Sequence, residues 1–167
     1  MQTAHGLDCV ASATVHEATH DSAIVVTSTP SKQPILDVGD VDRGTFIAAV
    51  GTDSEDKQEL TVALVSSAAI VVDDIEQCGK IGDLHHAIAA GAMTSSDVRA
   101  SLDAVVSRRV AGRMNDQEVI IFDSTGVAIE DAAAAAIVYE KAQAAGVGSA
   151  ISLGEIPLAG IDQRPIQ

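Results

Sequence analysis

Four short apolar runs constrain the fold more than any other feature of this 167-residue chain. They are Ala23–Val26, Phe46–Val50, Ala68–Val72 and Val119–Phe122, and glycine, aspartate or hydroxyl-bearing residues follow each of them. Short apolar runs bounded by turn signals are typical of buried strands in a parallel sheet. Because helical or capped segments separate the runs, the sequence predicts an α/β fold with a mainly parallel sheet and flanking helices.

The core of such a sheet has to be built from aliphatic residues. Aromatic residues make up 2% of the chain, whereas all hydrophobic residues together make up 47%. This composition is typical of an α/β protein rather than of a β-sandwich, and the length suits one domain with a full core. Between the runs, helices are predicted over Gln58–Ser66 and Val98–Val106.

Charge and apolar patterning exclude several classes of partner. The formal net charge is -14, and a field of that sign repels nucleic acid and anionic membranes, so neither is expected as a partner. No run approaches the roughly 18 apolar residues of a membrane span. The first residues lack a secretory signal, and Cys9 and Cys78 form no evident disulfide framework. We therefore expect a cytoplasmic protein, whose acidity suits a high-salt habitat as well as an ordinary acidic enzyme.

The junction after the second apolar run, within Phe46–Leu60, carries a dense group of charged side chains. Gly51 ends the run, and three carboxylates and one ammonium group follow it: Asp53, Glu55, Asp56 and Lys57. Ligands of open α/β sheets bind beyond the carboxyl ends of the strands, where an aspartate can exchange protons with a substrate. Two other interpretations remain open, namely a solvated acidic turn and a helix near Glu55 that Asp53 caps.

A similar junction follows the last apolar run. The residues Asp123-Ser124-Thr125-Gly126 close that run, and the pattern predicts a long helix from about Val127 to Ala145 with Gly146 at its end. Glycine lets a backbone approach a ligand closely. The first run is closed by the hydroxyl-rich segment Thr27–Ser31, which can hydrogen-bond a ribose or phosphate or form only a turn.

One motif indicates a different chemistry. His16, Glu17 and His20 match H-E-x-x-H, in which two histidines on one helical face bind zinc and the glutamate acts as a base. The available helix is short, and no third ligand is evident downstream. A short polar helix whose Glu17 and His20 face solvent is the simpler interpretation. A zinc hydrolase is therefore the weaker alternative, and no metal site is expected.

Several segments, taken together, resemble the ornithine cyclodeaminase/mu-crystallin family. They follow one another in the order of that family: AIVVTSTPS, FIAAVGTDSEDKQEL, AAIVVDD, GDLHHAI, GRMNDQEVIIFDSTGVAIEDAAAAAIVYEKA and GVGSA. The resemblance implies a Rossmann-type dinucleotide-binding domain over residues 1–153, a tail over residues 154–167, and NAD or NADP as cofactor. Members of the family include ornithine cyclodeaminases, alanine dehydrogenases and ketimine reductases.

The resemblance also implies roles for individual residues. Asp53 matches the catalytic acid/base, and Thr125 stands where the family often has a valine that faces the substrate. Cofactor contacts are implied for Thr27, Ala49, Val50, Gly51, Thr52, Lys57 and Ser124. In ornithine cyclodeaminases, hydride leaves the substrate α-carbon for NAD, the side-chain amine attacks the imine, ammonia departs, and the returning hydride gives proline. The aspartate would manage the protons.

The sequence departs from the family because it lacks the G-x-G-x-x-G junction that anchors the pyrophosphate. The residues that hold the substrate carboxylate are missing as well. We therefore expect the C-terminal part of a family member, which binds NAD weakly or not at all by itself and needs a separate N-terminal half or a homo-oligomer to act on an amino or imino acid. A non-catalytic or partner-dependent remnant domain is the alternative. An exposed apolar edge or face is expected where missing strands would pair.

Overall fold

The computed structural model describes residues 6–149 and 151, and the chain divides into two compact units, residues 1–127 and 128–167. The described part of the first unit holds a parallel sheet in the order β1-β2-β5-β3-β4. The strands are β1 Ile24–Thr27, β2 Phe46–Ala49, β3 Ala69–Val72, β4 Ala100–Ser101 and β5 Ile120–Asp123. The predicted parallel α/β sheet is confirmed, and each of the predicted runs forms a strand whose ends differ by no more than one residue.

Strand β5 lies at the centre of the sheet although it comes last in the chain. It pairs with β2 on one side and with β3 on the other. The short strand β4 pairs only with the end of β3. The helix predicted over Val98–Val106 is therefore wrong in its first half, because Ala100 and Ser101 form too short a strand to show an alternating pattern.

Short helices connect the strands of the first unit. They are α1 Val15–Thr19, α2 Val62–Ser67, α3 Ile75–Ile81, α4 Asp83–Ala89 and α5 Leu102–Val106. Helix α2 begins later than predicted, because the hydroxyl of Thr61 caps it by accepting from the N–H of Leu64 at 3.2 Å. The N–H groups of Glu59 and Leu60, just before the cap, donate to the Asp83 carboxylate instead.

The two faces of the sheet differ in their packing. On one face, aliphatic side chains of the strands pack with the helices in a single buried cluster that includes Ile47, Ile121 and Leu84. On the other face, Ile24 and Val26 of the edge strand β1 keep 66% and 63% of their surface exposed. The exposed apolar surface that the sequence predicts is thus present beside β1, while burial on the first face supplies the main stabilisation.

The second unit contains helix α6, Ala128–Ala145, which agrees with the predicted long helix apart from its first residue. Gly146 follows with a φ of 63°, in the left-handed region that suits a C-terminal glycine. The tail predicted over residues 154–167 lies outside the described residues. Within residues 6–149 and 151, no helix is long and apolar enough to cross a membrane.

Candidate functional site

The loops after β1, β2, β3 and β5 meet at the carboxyl edge of the sheet, where open α/β sheets bind ligands. The residues that the sequence predicts to contact a ligand lie in these loops or at the strand ends: Thr27, Ala49, Val50, Gly51, Thr52, Asp53, Lys57, Ser124 and Thr125. The N–H of Val50 donates to the carbonyl of Thr27 at 3.0 Å. The N–H of Ser124 donates to the carbonyl of Ala49 at 2.9 Å. The two predicted junctions therefore form one continuous edge.

Asp53 and Lys57 form an ion pair at this edge. Lys57 Nζ lies 2.5 Å from Asp53 Oδ1, and the Asp53 side chain is 64% exposed. The hydrogen bond and the charge of Lys57 lower the pKa of the Asp53 carboxyl. At neutral pH Asp53 is therefore ionised and able to accept a proton. No helix begins near Glu55, so the interpretation of Asp53 as a helix cap is wrong.

Thr27 carries a polar atom to which the protein gives no partner. This residue ends β1, and 6% of its surface is exposed. Among the described residues, its hydroxyl oxygen is the one buried side-chain polar atom that lacks a hydrogen bond. Leaving a buried hydroxyl without a partner costs about 1–3 kcal/mol. A ligand or an ordered water molecule can supply the missing partner.

The buried carboxylate of Glu59 joins the loop after β1 to the loop after β2. Its Oε1 accepts from the N–H of Thr29 at 2.5 Å, and its Oε2 accepts from the N–H of Gly51 at 3.1 Å. A Cβ atom at Gly51 would lie 2.5 Å from this carboxylate, so the close approach requires glycine. In the described part of the chain, no ion pair includes Glu59.

A second buried carboxylate, Asp83 at the start of α4, holds the far end of the same loop. Its Oδ1 accepts from the N–H groups of Glu59 and Leu60, each at 2.9 Å. Its Oδ2 accepts from the hydroxyl of Thr52 at 2.6 Å. Burial raises the pKa of the Asp83 carboxyl, although these hydrogen bonds oppose the change. The predicted cofactor contact Thr52 is therefore fully buried, and its hydroxyl donates within the protein.

Asp123, at the end of β5, is a third buried carboxylate. It accepts from the N–H of Leu84 at 2.9 Å and from the N–H of Asp83 at 3.3 Å. A Cβ atom at Gly82 would lie 2.5 Å from Asp123 Oδ2. Burial raises the pKa of Asp123 to about 7, and the charge of Asp83 acts in the same direction. Asp123 therefore changes its charge near neutral pH.

Asp73 fixes the loop after β5 by accepting several hydrogen bonds. Its Oδ2 accepts from the Ser124 hydroxyl at 3.0 Å and from the N–H groups of Thr125 and Gly126 at 2.9 and 2.8 Å. The thiol of Cys78 donates to Asp73 Oδ1 at 3.0 Å. Burial raises the pKa of this thiol, so Cys78 is a donor rather than a nucleophile. The predicted cofactor contact Ser124 thus uses its hydroxyl group as a hydrogen-bond donor within the protein.

Sequence reasoning missed the supporting role of the buried acids Glu59, Asp83 and Asp123 and of the half-buried Asp73. A usable signal was present, since Asp73 follows β3 directly and Asp123 ends β5. For Glu59 the signal was weaker, because Thr29 lies 30 residues away in sequence. Of the predicted backbone contacts, Ala49 is buried and Val50 is 42% exposed.

The H-E-x-x-H residues lie at the opposite, amino edge of the sheet, ahead of β1. The rings of His16 and His20 stack with their centroids 5.2 Å apart. Thr14 caps α1 by accepting from the N–H of Glu17 at 3.2 Å, and Glu17 Oε2 accepts from the N–H of Ala13 at 3.0 Å. His20 Nδ1 lies 3.1 Å from Asp42 Oδ2. Glu17 and His20 are exposed, as the simpler interpretation of the motif predicts.

Comparisons with known proteins match this chain to one protein family and to several curated and solved relatives. A model of the ornithine cyclodeaminase/mu-crystallin family matches residues 1–146. Alanine dehydrogenase of Archaeoglobus fulgidus is 43% identical over 133 residues, which are 80% of this chain and 41% of that protein.

Two solved structures have the same arrangement over most of this chain. Iminosuccinate reductase of Paracoccus denitrificans in complex with NAD+ has a TM-score of 0.74 and 42% identity, covering 79% of this chain and 40% of that one. Delta(1)-pyrroline-2-carboxylate reductase of Thermococcus litoralis in complex with NADH and L-proline has a TM-score of 0.78 and 33% identity, covering 83% and 43%. The chain thus spans about two fifths of the length of these relatives.

Proposed function

Since the chain belongs to the ornithine cyclodeaminase/mu-crystallin family, we propose that it forms the nicotinamide side of an NAD(P)-dependent oxidoreductase site for a small amino or imino acid. The observation that carries this proposal is the buried hydroxyl of Thr27, which lacks a partner at the carboxyl edge. The relatives support it, because their names describe one type of reaction, the interconversion of an amine and an imine beside a carboxylate.

The residues present fit a nicotinamide nucleotide. The hydroxyl of Thr27 can bond a polar group of the cofactor, and Gly51 has no side chain to obstruct its approach. The buried acids already accept hydrogen bonds from the protein, so they do not direct an unbalanced charge at the nucleotide. Because the chain has no G-x-G-x-x-G turn, it supplies the nicotinamide side of the site rather than the pyrophosphate anchor.

Asp53 is the proposed catalytic acid/base. When bound, NAD supplies the acceptor for a hydride from the substrate α-carbon. In that direction the ionised Asp53 accepts the proton that the substrate ammonium group loses, so that the nitrogen lone pair can form the C=N bond. In the reductive direction Asp53 returns this proton to the amine. Lys57 keeps the carboxylate ionised at rest by lowering its pKa.

The test compares Asp53→Asn with Asp56→Asn in protein that also contains the N-terminal part found in relatives. Asp56 is a matched control, because it is an exposed acid in the same loop that pairs with Lys32 at 2.5 Å. We expect Asp53→Asn to lower turnover by about two orders of magnitude or more without changing the melting temperature. Turnover that survives in Asp53→Asn would show that the assignment of the acid/base is wrong.

The substrate within this class is a finer proposal. Ornithine cyclodeamination adds an attack by the side-chain amine to the same hydride steps, and its products, proline and ammonia, distinguish it from simple oxidation or reduction. Product analysis with L-alanine, L-proline and L-ornithine separates these activities. A reducing compartment such as the cytoplasm suits Cys78, whose thiol donates a hydrogen bond to Asp73.

A further inference from the structure

We propose that Glu59 is a positioning residue of this site. Its carboxylate joins the loop after β1 to the loop after β2, and so fixes the place of Asp53 relative to the hydroxyl of Thr27. Glu59 itself is fully buried and does not face the edge where a ligand binds. The inference rests on the proposed function, because it assigns a purpose to loops that would hold the cofactor.

The chemistry of the two bonds explains why a carboxylate stands here. An apolar side chain of similar size would avoid the cost of burying a charge, but it would leave the N–H groups of Thr29 and Gly51 without acceptors. A carboxylate has two acceptor oxygens and no donor, whereas the amide of glutamine has one of each. Glutamine at position 59 can therefore satisfy one of the two loops but not both.

The Glu59 carboxylate is in direct contact with Gly51 in the loop after β2, so a movement of Glu59 displaces this loop. The carboxylate packs so closely against Gly51 that a Cβ atom there would lie 2.5 Å from its carbon and oxygen atoms. Gly51 precedes Thr52 and Asp53 in the chain, so a displacement at Gly51 passes along the backbone to the proposed acid/base. The other end of this loop is held separately, by Asp83 at Glu59 N and Leu60 N.

Asp83 offers a matched control, because an amide can replace it without losing a bond. In Asp83→Asn, the remaining oxygen still accepts from Glu59 N and Leu60 N, as Oδ1 does in the wild type. The new NH₂ group can donate to the Thr52 hydroxyl, which accepts as readily as it donates. Both variants replace a buried carboxylate with its isosteric amide, yet only Glu59→Gln disconnects a loop.

The experiment measures amide hydrogen exchange by NMR in the wild type, Glu59→Gln and Asp83→Asn, each in protein that also contains the N-terminal part found in relatives, and then titrates each protein with NAD at millimolar concentrations. In the wild type we expect slow exchange at Thr29 N and Gly51 N. Glu59→Gln should raise the exchange rate of at least one of these amides about tenfold or more, the equivalent of one lost hydrogen bond. It should also reduce the NAD-induced shifts at Thr27 and Asp53, while Asp83→Asn preserves both measurements.

A core variant separates positioning from stability. Leu64→Ala removes a buried side chain of α2, outside both loops, so it should lower the melting temperature but preserve the NAD-induced shifts. Unprotected amides at Thr29 and Gly51 in the wild type would overturn the role of Glu59, even if Glu59→Gln failed to fold. Equal exchange in Glu59→Gln and Asp83→Asn would overturn it too. An absence of NAD-induced shifts in the wild-type protein that contains the N-terminal part would instead contradict the proposed function.

Discussion

The two edges of the sheet use acidic side chains in opposite ways. At the carboxyl edge, Glu59, Asp83 and Asp123 are buried, and N–H groups of the backbone donate to each of them. At the amino edge, acidic side chains form ion pairs with cationic side chains. Both terminal nitrogens of the Arg99 guanidinium donate to the Glu118 carboxylate, at 2.9 and 2.6 Å. The buried acids of the carboxyl edge therefore fix loops, whereas Glu118 at the amino edge pairs with a cation, as the exposed Asp53 does at the carboxyl edge.

The difference shows which backbone segments of this fold are held in fixed positions. An acid that accepts from two backbone N–H groups fixes the path of the chain, whereas an ion pair between exposed side chains, such as His20 and Asp42, tolerates movement and contributes little to stability. The titration of the two kinds of acid reflects their surroundings. Hydrogen bonds from Arg99 lower the pKa of Glu118 to about 2, while burial raises the pKa of Asp123 to about 7.

The largest expected effect comes from truncating an acid at the carboxyl edge. Asp83→Ala leaves the N–H groups of Glu59 and Leu60 and the hydroxyl of Thr52 without their partner. Because each orphaned buried group costs roughly 1–3 kcal/mol, we expect the free energy of unfolding to fall by about 5 kcal/mol. Urea denaturation measures this change. Glu118→Ala at the amino edge should cause less than half of it, and equal losses would remove the distinction between the edges.

The next effect concerns pH. The folded pKa of Asp123, about 7, lies above its ordinary value of 3.8, so between these values the unfolded chain releases a proton that the folded protein retains. The contribution of Asp123 to stability is therefore fully present below pH 3.8 and is lost as pH rises toward 7, by on the order of 4 kcal/mol. Asp123→Asn should reduce this slope in denaturation curves recorded across the window, and the raised pKa of Asp83 accounts for a part that remains. A slope that persists unchanged in the variant would show that other titratable groups cause it.

A smaller effect tests the contact between a glycine and a buried acid. Gly82→Ala places a methyl group 2.5 Å from Asp123 Oδ2, and we expect a loss of about 2 kcal/mol from overpacking. Gly79→Ala in α3 is the control, because its nearest neighbour is an Ile88 methyl group at 3.6 Å, an ordinary contact. There the helical preference of alanine should stabilise the protein by about 0.5–1 kcal/mol. Thermal melts of the two variants should therefore shift in opposite directions.

The smallest effect is expected at the amino edge. The side chains of His20 and Asp42 are 53% and 44% exposed, and their ring nitrogen and carboxylate oxygen lie 3.1 Å apart. Because water screens such a pair, His20→Ala should change the melting temperature by less than about 2 °C. A larger loss in a thermal melt would mean that the amino edge also depends on its acids for rigidity.

The sequence was informative where the interactions are local. Apolar runs predict the long strands of the sheet, and the spacing of Asp53 and Lys57 brings them together even without the helix that their pattern favours. The tie between Glu59 and Thr29 could not be predicted in the same way, because it joins residues 30 positions apart through a side chain that no local pattern distinguishes. The resemblance to a family indicated Thr27, but only the packing around it reveals that its hydroxyl lacks a partner.

The central place of β5 has a consequence for how the protein is made. A ribosome finishes β1, β2, β3 and β4 before it reaches Ile120–Asp123, the segment that lies between β2 and β3. Until that segment emerges, the nascent chain holds two separate strand pairs with no common neighbour, and closing the long loops between them is entropically unfavourable. The sheet therefore assembles in a late step, and a nascent chain that stops short of Ile120 leaves both strand pairs without the strand that joins them.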